Sequence, residues 1–459
     1  MSMPDPVSAE VMNDVGHRTT TLDSGVRVVS EPLPGVRSVA LGFWIGAGSA
    51  LERDAEAGIS HLLEHMLFRG SARYGSEEID QIFDGMGAEL NAGTDREATS
   101  VYARVLDRHL ERAFDVIADM VWRPALGEIE AEREVVLEEI AMYEDDPQDR
   151  VFDVLGEAVF GGHPLGRAVI GRAEVIRSVT REQLRAFHAT RYHPTDVVIA
   201  AAGSVDHDAL VAMAKAALGS EGVGERNGGR VGERVVAPGA ERPGEPPAAH
   251  EATPHFERRV RFLRKDTEQY HLCLGGRGIA RDDERRFALR VLDTVLGGGA
   301  SSRLFQEVRE RRGLAYSVFS FSNLYAHTGE VGLYVGTRPD NLRAAVAVCA
   351  AELDRFVREP ADAQELERAR ENAKGRLVLA MESTAARMSR LGSSVLCELP
   401  ILSVEEVIAR LDAVTLDDLR ALAQELFRGP ELSVAAIGPD EDALREALAP
   451  LEFEPAHPA

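Results

Sequence analysis

Two periods govern the placement of apolar residues along this chain. Residues 26–30 and 38–45 alternate or run apolar with β-branched side chains, the pattern of strands. From Gly58 to Phe68 the period changes to that of a helix, and the run GISHLLEHMLF organises what surrounds it. Gly46-Ala47-Gly48 and residues 52–56 form a polar loop in front of it. After it, Ser76 precedes Glu77, Glu78 and an apolar-periodic run to Met86, which predicts a helix capped by that serine. Residues 88–92 and 99–105 predict a strand pair around a turn at Gly93-Thr94-Asp95. Helical patterns follow at 107–122, ended by Pro124, at 128–144, which is strongly acidic, and at 180–192, before an apolar strand at 196–202. Residues 1–16 carry no such pattern and are expected to be a disordered leader.

The second half repeats the first. The run TREQLRAFHATRYHPTDVVIAAAG from Thr180 matches TLDDLRALAQELFRGPELSVAAIG from Thr415 at a constant offset. The unit from Ser38 to Gly70 has a counterpart from Gln269 to Gly299, where FALRVLDTVLGGG replaces the helix of residues 58–68. Between the halves, residues 220–255 are dominated by Gly, Pro, Glu and Arg, with almost nothing to bury. Mixed strands and helices without regular alternation point to an α+β fold. The expected organisation is a half at 17–222, a flexible linker at 223–255 and a homologous half at 256–450.

On a helix, positions i, i+3 and i+4 share a face, so His61, Glu64 and His65 lie side by side. Two imidazoles four residues apart are a two-point grip for Zn²⁺. A carboxylate between them can take a proton from a water activated by the metal. Three polar residues meeting by chance would form the same short motif, but here they are wrapped in apolar residues, where an unpaired polar group is costly. A catalytic zinc wants a third ligand, and the candidates are carboxylates of the acidic run IEAEREVVLEEIAM. On that run Glu132 and Glu139 share one face two turns apart; a solvated acidic face is the alternative. The copy in the second half lacks His and Glu at the ligand positions, so only the first half can hold a metal through this motif.

His-x-x-Glu-His inverts the commoner His-Glu-x-x-His order and is the inverzincin signature. The runs HLLEHMLFRGSARY and GAELNAGTDREATSVYARV resemble the pitrilysin and mitochondrial-processing-peptidase family of zinc endopeptidases, in its short bacterial and mitochondrial branch. The resemblance spans residues 21–450. It implies two similar halves, each an antiparallel sheet covered by helices, and one Zn²⁺ per chain. It maps the third ligand onto Glu139, beside which Glu138 is the neighbouring choice, and a supporting carboxylate onto Glu132. Glu64 takes the role of general base. The edge Glu89–Thr94 would pair with an extended peptide, with Asn91 and Ala92 contacting its backbone. In VRERRGLAYSVFSF, Arg309 and Tyr316 match the family's substrate-binding pair, which would bind substrate carbonyls. Gly297-Gly298-Gly299-Ala300-Ser301-Ser302 is not a phosphate loop, since no Gly-Lys-Ser/Thr follows; it reads as a turn before a helix.

Composition narrows the reading. At 459 residues the chain exceeds one ordinary core, and 44% hydrophobic with 28% charged residues is a globular balance. No apolar run spans a bilayer, and the acidic N-terminal stretch is neither secretory signal nor transit peptide. Three scattered cysteines, Cys273, Cys349 and Cys397, fit a reducing cytoplasm. A net charge of −24 argues against nucleic acid as a partner. It fits either plain solubility or an acidic cavity for basic peptides, to which Glu144-Asp145-Asp146-Pro147-Gln148-Asp149 would add. The expected function is a zinc endopeptidase acting on short unfolded or presequence-like peptides. Because the family's long members use four such domains and this chain has two, a homodimer is expected, with Arg309 and Tyr316 facing the partner's zinc. The alternative is a non-catalytic scaffold, or a subunit of a heterodimeric peptidase. Such subunits usually lose motif residues, and here His61, Glu64, His65, Glu132 and Glu139 are all present.

Overall fold

The computed structural model describes residues 10–12, 16–219, 253–428 and 431–451; nearly all of the expected linker lies outside them. The chain forms two compact units, each with its own sheet.

The first sheet contains β1 (Glu10–Met12), β2 (Arg18–Thr21), β3 (Arg27–Pro32), β4 (Ser38–Ile45), β5 (Glu89–Thr94), β6 (Thr99–Leu106) and β7 (Val197–Gly203). Their order is β1-β2-β3-β7-β4-β6-β5. The second contains β8 (Val260–Arg264), β9 (Tyr270–Gly278), β10 (Ala315–Leu324), β11 (Gly329–Thr337) and β12 (Ser433–Gly438), in the order β10-β11-β9-β12-β8. Read from the opposite edge, the second order matches the first strand for strand from β3 to β5. The duplication seen in the sequence is thus a duplication of topology. Thr180 and Thr415 also begin the matching helices Arg181–Arg191 and Leu416–Leu426 with the same reciprocal capping box.

Most pairings in both sheets are antiparallel, as the family resemblance implies, but each sheet also holds one parallel pair. β7 runs parallel to β3, and β12 parallel to β8. Topology requires this: β7 inserts between β3 and β4, which run in opposite directions, so it must lie parallel to one of them. Two local expectations also shift. Ser76 is the first helical residue rather than the cap, and its hydroxyl bonds the Phe68 carbonyl. Residues 10–12 of the expected leader form an edge strand paired with β2.

The compact units are not the uninterrupted halves of the sequence. One comprises Met1–Ile140, Val169–Ala248 and Leu379–Ser403; the other comprises Ala141–Ala168, Ala249–Val378 and Val404–Ala459. Each half therefore lends the opposite unit one helical segment. In the first unit, helix Leu110–Trp122 and the motif helix Ile59–Leu67 pack with Val39, Leu41, Phe43 and Ile45 of β4. The other face of that sheet is covered by the lent helix Thr384–Leu396 through Met388, Leu391 and Leu396. In the second unit the lent helix Pro147–Phe160 packs on β9 and β12. Central strands are buried on both faces, which is why their sequences run apolar without clean alternation.

Close approach of the lent helix to β4 depends on a missing side chain. A Cβ on Gly392 would lie 2.1 Å from Trp44 Nε1. Helix propensity favours Ala over Gly by about 1 kcal/mol, but overpacking of this kind costs about 1–3 kcal/mol. Gly392→Ala is therefore expected to lower the melting temperature. Gly375→Ala, in helix Ala363–Ala380 with nothing near its Cβ position, is expected to raise it slightly. Equal shifts for the two in thermal unfolding would contradict the packing argument.

Candidate active site

The motif helix starts at a left-handed residue, Gly58, whose φ of +99° disfavours any side chain. The buried carboxylate of Glu52 accepts from the backbone N–H groups of Gly58 and Ser60, both at 2.8 Å, and so satisfies the helix's first orphan donors. Ile59, Leu62, Leu63, Met66 and Leu67 are buried. That anchoring turns His61, Glu64 and His65 to the open face, where each is half-buried.

The acidic helix Ile129–Asp145 buries Ile129, Glu132, Val136 and Ile140 and brings Glu139 opposite both imidazoles. Glu139 Oε2 lies 3.2 Å from His65 Nε2 and 3.6 Å from His61 Nε2. One atom from each of the three residues falls within 4.8 Å of the others. Glu138 is exposed on the same helix and takes no part in this cluster. Of the two adjacent carboxylates, Glu139 is the one that faces the imidazoles.

Behind the cluster, Glu132 Oε1 sits 2.7 Å from His65 Nδ1, and its other oxygen is bonded by Arg69 Nε. Paired with an arginine, Glu132 accepts, so His65 Nδ1 is the donor in this contact and Nε2 is the nitrogen turned to Glu139. Burial, and then the neighbouring His65, hold the His61 pKa down to about 4, so this ring is neutral at physiological pH. Its Nδ1 is buried without a hydrogen-bond partner among the described residues, and its Nε2 is too far from Glu139 for a hydrogen bond. Two imidazole nitrogens and a carboxylate oxygen converge here, a donor set of the kind that binds a metal cation. Two nitrogens and one oxygen suit Zn²⁺ and leave a fourth position open. The residues present fit the metal.

Glu64 stands apart from the three. Burial pushes its carboxyl pKa up, while a hydrogen bond from Thr94 acts in the opposite sense. Thr94 Oγ1 donates to Glu64 Oε2 at 2.6 Å. Thr94 is a strand residue rather than part of a turn; the turn lies at Asp95–Ala98, where Asp95 N–H donates to the Ala98 carbonyl at 2.8 Å. β5 is an edge strand, paired only with β6 among the described strands. Asn91 is exposed on it, and its Oδ1 accepts from the Ala92 N–H at 2.8 Å.

The other singled-out residues lie in the second unit. Arg309 belongs to a π-helical turn, Phe305–Glu310, where a plain helix was expected after the glycine turn. Its guanidinium lies 4.7 Å from the Phe305 ring centre and 4.5 Å from that of Tyr316, and it donates to the Tyr316 carbonyl. Tyr316 is 77% exposed. The acidic run 144–149 serves local structure. Asp146 caps helix Pro147–Phe160, and Lys265 bonds the Glu144 carbonyl and the Asp145 carboxylate.

Three supporting residues escape a reading of the sequence: Glu52, Arg69 and Thr94. Arg69 leaves a trace, standing four residues after His65 as His65 stands four after His61, although the helix itself ends at Leu67. Thr94 shares the inward face of β5 with Leu90 and Ala92. Glu52 has no local signal, because its partners are backbone groups.

These roles separate by metal affinity. Glu139→Ala is expected to abolish tight zinc binding, Glu132→Ala to weaken it about 10- to 100-fold, and Glu138→Ala to leave it unchanged. Competition with a chromophoric chelator measures all three, and a Glu138 variant as weak as the Glu139 variant would reverse the assignment.

The chain matches the family model described as Insulinase (Peptidase family M16) over residues 27–173, and that described as Peptidase M16 inactive domain over 178–373. It is 42% identical to an uncharacterized zinc protease of Streptomyces coelicolor, covering 93% of this chain and 90% of that one. It is 40% identical to the uncharacterized zinc protease YmxG of Bacillus subtilis, over 91% of this chain and 97% of that one. Among solved structures, a protease from Helicobacter pylori superposes with a TM-score of 0.80 at 21% identity, covering 93% of this chain and all of that one. The M16 inactive-domain protein of Pseudomonas fluorescens gives 0.80 at 23% identity. With these relatives matching over nearly its whole length, and with the inverted histidine motif built into the first unit, the chain belongs to the M16, or pitrilysin, family of zinc proteases.

Proposed function

We propose that this chain is a zinc-dependent endopeptidase that hydrolyses short unfolded or presequence-like peptides. The observation that carries the reading is the convergence of His61, His65 and Glu139 beside a separate, unligated Glu64. When bound, zinc supplies Lewis-acid polarisation of a peptide carbonyl and acidifies a water. His61, His65 and Glu139 hold it, one ion per chain, and Glu132 keeps His65 in the ligating tautomer. Glu64 takes the proton of the attacking water and passes it to the leaving amine. Its raised pKa suits both acceptance and return of that proton. An extended peptide adds to the free edge of β5 beside Asn91 and Ala92, so backbone hydrogen bonds place the scissile bond across the site. Net charge of −24 favours basic peptides.

Arg309 and Tyr316 complete the substrate site from the partner subunit of a homodimer; the exposure of the Tyr316 ring supports this. Free cysteines, two of them buried, fit a reducing cytoplasm, and among the described residues no helix is long and apolar enough to cross a membrane.

For the base, wild type and Glu64→Gln are expected to bind equal zinc, with cleavage of a quenched, unstructured basic peptide falling at least about 1,000-fold in the variant. Absence of both metal and cleavage in wild type would favour a scaffold or partner subunit. For the dimer, Glu64→Gln and Tyr316→Phe proteins, each weak alone, are expected to regain activity when mixed and exchanged, because one heterodimer site then has both residues intact. No recovery after confirmed exchange would place Tyr316 in the same chain as the zinc it serves.

A further inference from the structure

Glu64 is held by a residue that its own helix does not supply. β5 alternates, so Leu90, Ala92 and Thr94 share the face turned toward the motif helix. Thr94 and Thr99 are directly opposed in the β5–β6 pairing, which puts their hydroxyls 3.3 Å apart. Thr99 is fully buried and gives its one hydroxyl hydrogen to the Ala47 carbonyl at 2.7 Å. With that hydrogen committed, Thr94 has its own hydrogen free for Glu64 Oε2, 2.6 Å away.

The hairpin that carries Thr94 is itself pinned. Asp95 Oδ1 takes the N–H groups of Glu97 and Ala98, both at 2.7 Å. Ser49 and Ala50 donate backbone N–H groups to the carbonyls of Asp95 and Arg96. A Cβ on Gly48 would lie 2.4 Å from the Asp95 carbonyl oxygen, so the two loops touch backbone to backbone.

We propose that Thr94 is a positioning residue for the reaction: its hydroxyl clamps Oε2 of Glu64 and leaves Oε1 as the oxygen that faces the attacking water. This rests on the peptidase reading of the same site. A glutamate side chain otherwise samples several rotamers, and ordering it before substrate arrives removes that cost from the reacting step. The clamp acts on Glu64 alone, since Thr94 is not among the three ligating residues.

The test compares wild type, Thr94→Val and Thr94→Ser in steady-state cleavage of the quenched basic peptide, with zinc content, melting temperature and crystal structures of the zinc-loaded proteins. Val keeps the shape and the strand preference but lacks the hydroxyl; Ser keeps the hydroxyl. The clamp predicts a kcat about 10- to 100-fold lower for Thr94→Val with KM within about two-fold, and most of kcat retained by Thr94→Ser. Zinc content and melting temperature stay at wild-type values, and Glu64 leaves its single conformer only in Thr94→Val. An unchanged kcat, an effect confined to KM, or a Ser variant as slow as Val overturns it. Should wild type cut no peptide, the peptidase reading fails by itself, and the Glu64 conformer still decides the clamp: a carboxylate that stays in place in Thr94→Val refutes it.

Discussion

A single buried carboxylate, Glu132, is the constraint around which the site is arranged. Its side chain is 5% exposed, and a charge placed there needs compensation. Arg69 and His65 supply it, both from the motif helix and its C-terminal extension, one turn apart. The same pairing ties the motif helix to the acidic helix that also carries Glu139. Glu132 touches no candidate reacting group, yet it joins the two helices whose side chains form the cluster.

Around that point the architecture separates support from chemistry. Glu52 anchors the helix N-terminus, buried leucines hold its inner face, and only polar residues remain on its outer face. Thr94 reaches Glu64 from β5, whereas Glu132 holds His65 from the acidic helix, so two residues of one helix are held by separate elements. The duplicated topology then explains why the second unit can carry the same fold without the motif: its corresponding helix, Arg286–Leu296, keeps the buried apolar face and lacks the motif's His and Glu.

Much of the fold was legible because its elements are local. β4 begins and ends where the apolar run does, and the capping boxes at Thr180 and Thr415 mark helix starts in both copies. Elements misread at their ends were decided by neighbours. Ser76 gives its hydroxyl to the Phe68 carbonyl instead of capping, and Thr94 remains in strand because Thr99 opposes it. The exchange of helices Pro147–Phe160 and Thr384–Leu396 had no local sign. Each has an apolar face that would suit either sheet, and periodicity records only that a face is apolar.

By itself, then, the sequence determined which residue types sit three and four apart on one helix, that the chain carries one fold twice, and that only the first copy has the metal-binding motif. Spacing along a helix is dictated by backbone hydrogen bonding, so those relations hold wherever the helix lies. Helix spacing left Glu138 and Glu139 side by side, and the fold turns Glu139, the one the family resemblance marks, toward the histidines; tertiary structure alone decided that Glu132 is buried against Arg69 and that Thr94 reaches Glu64. Each of these contacts joins residues far apart in the chain, and their distances depend on how helices rotate and strands register once the core is packed.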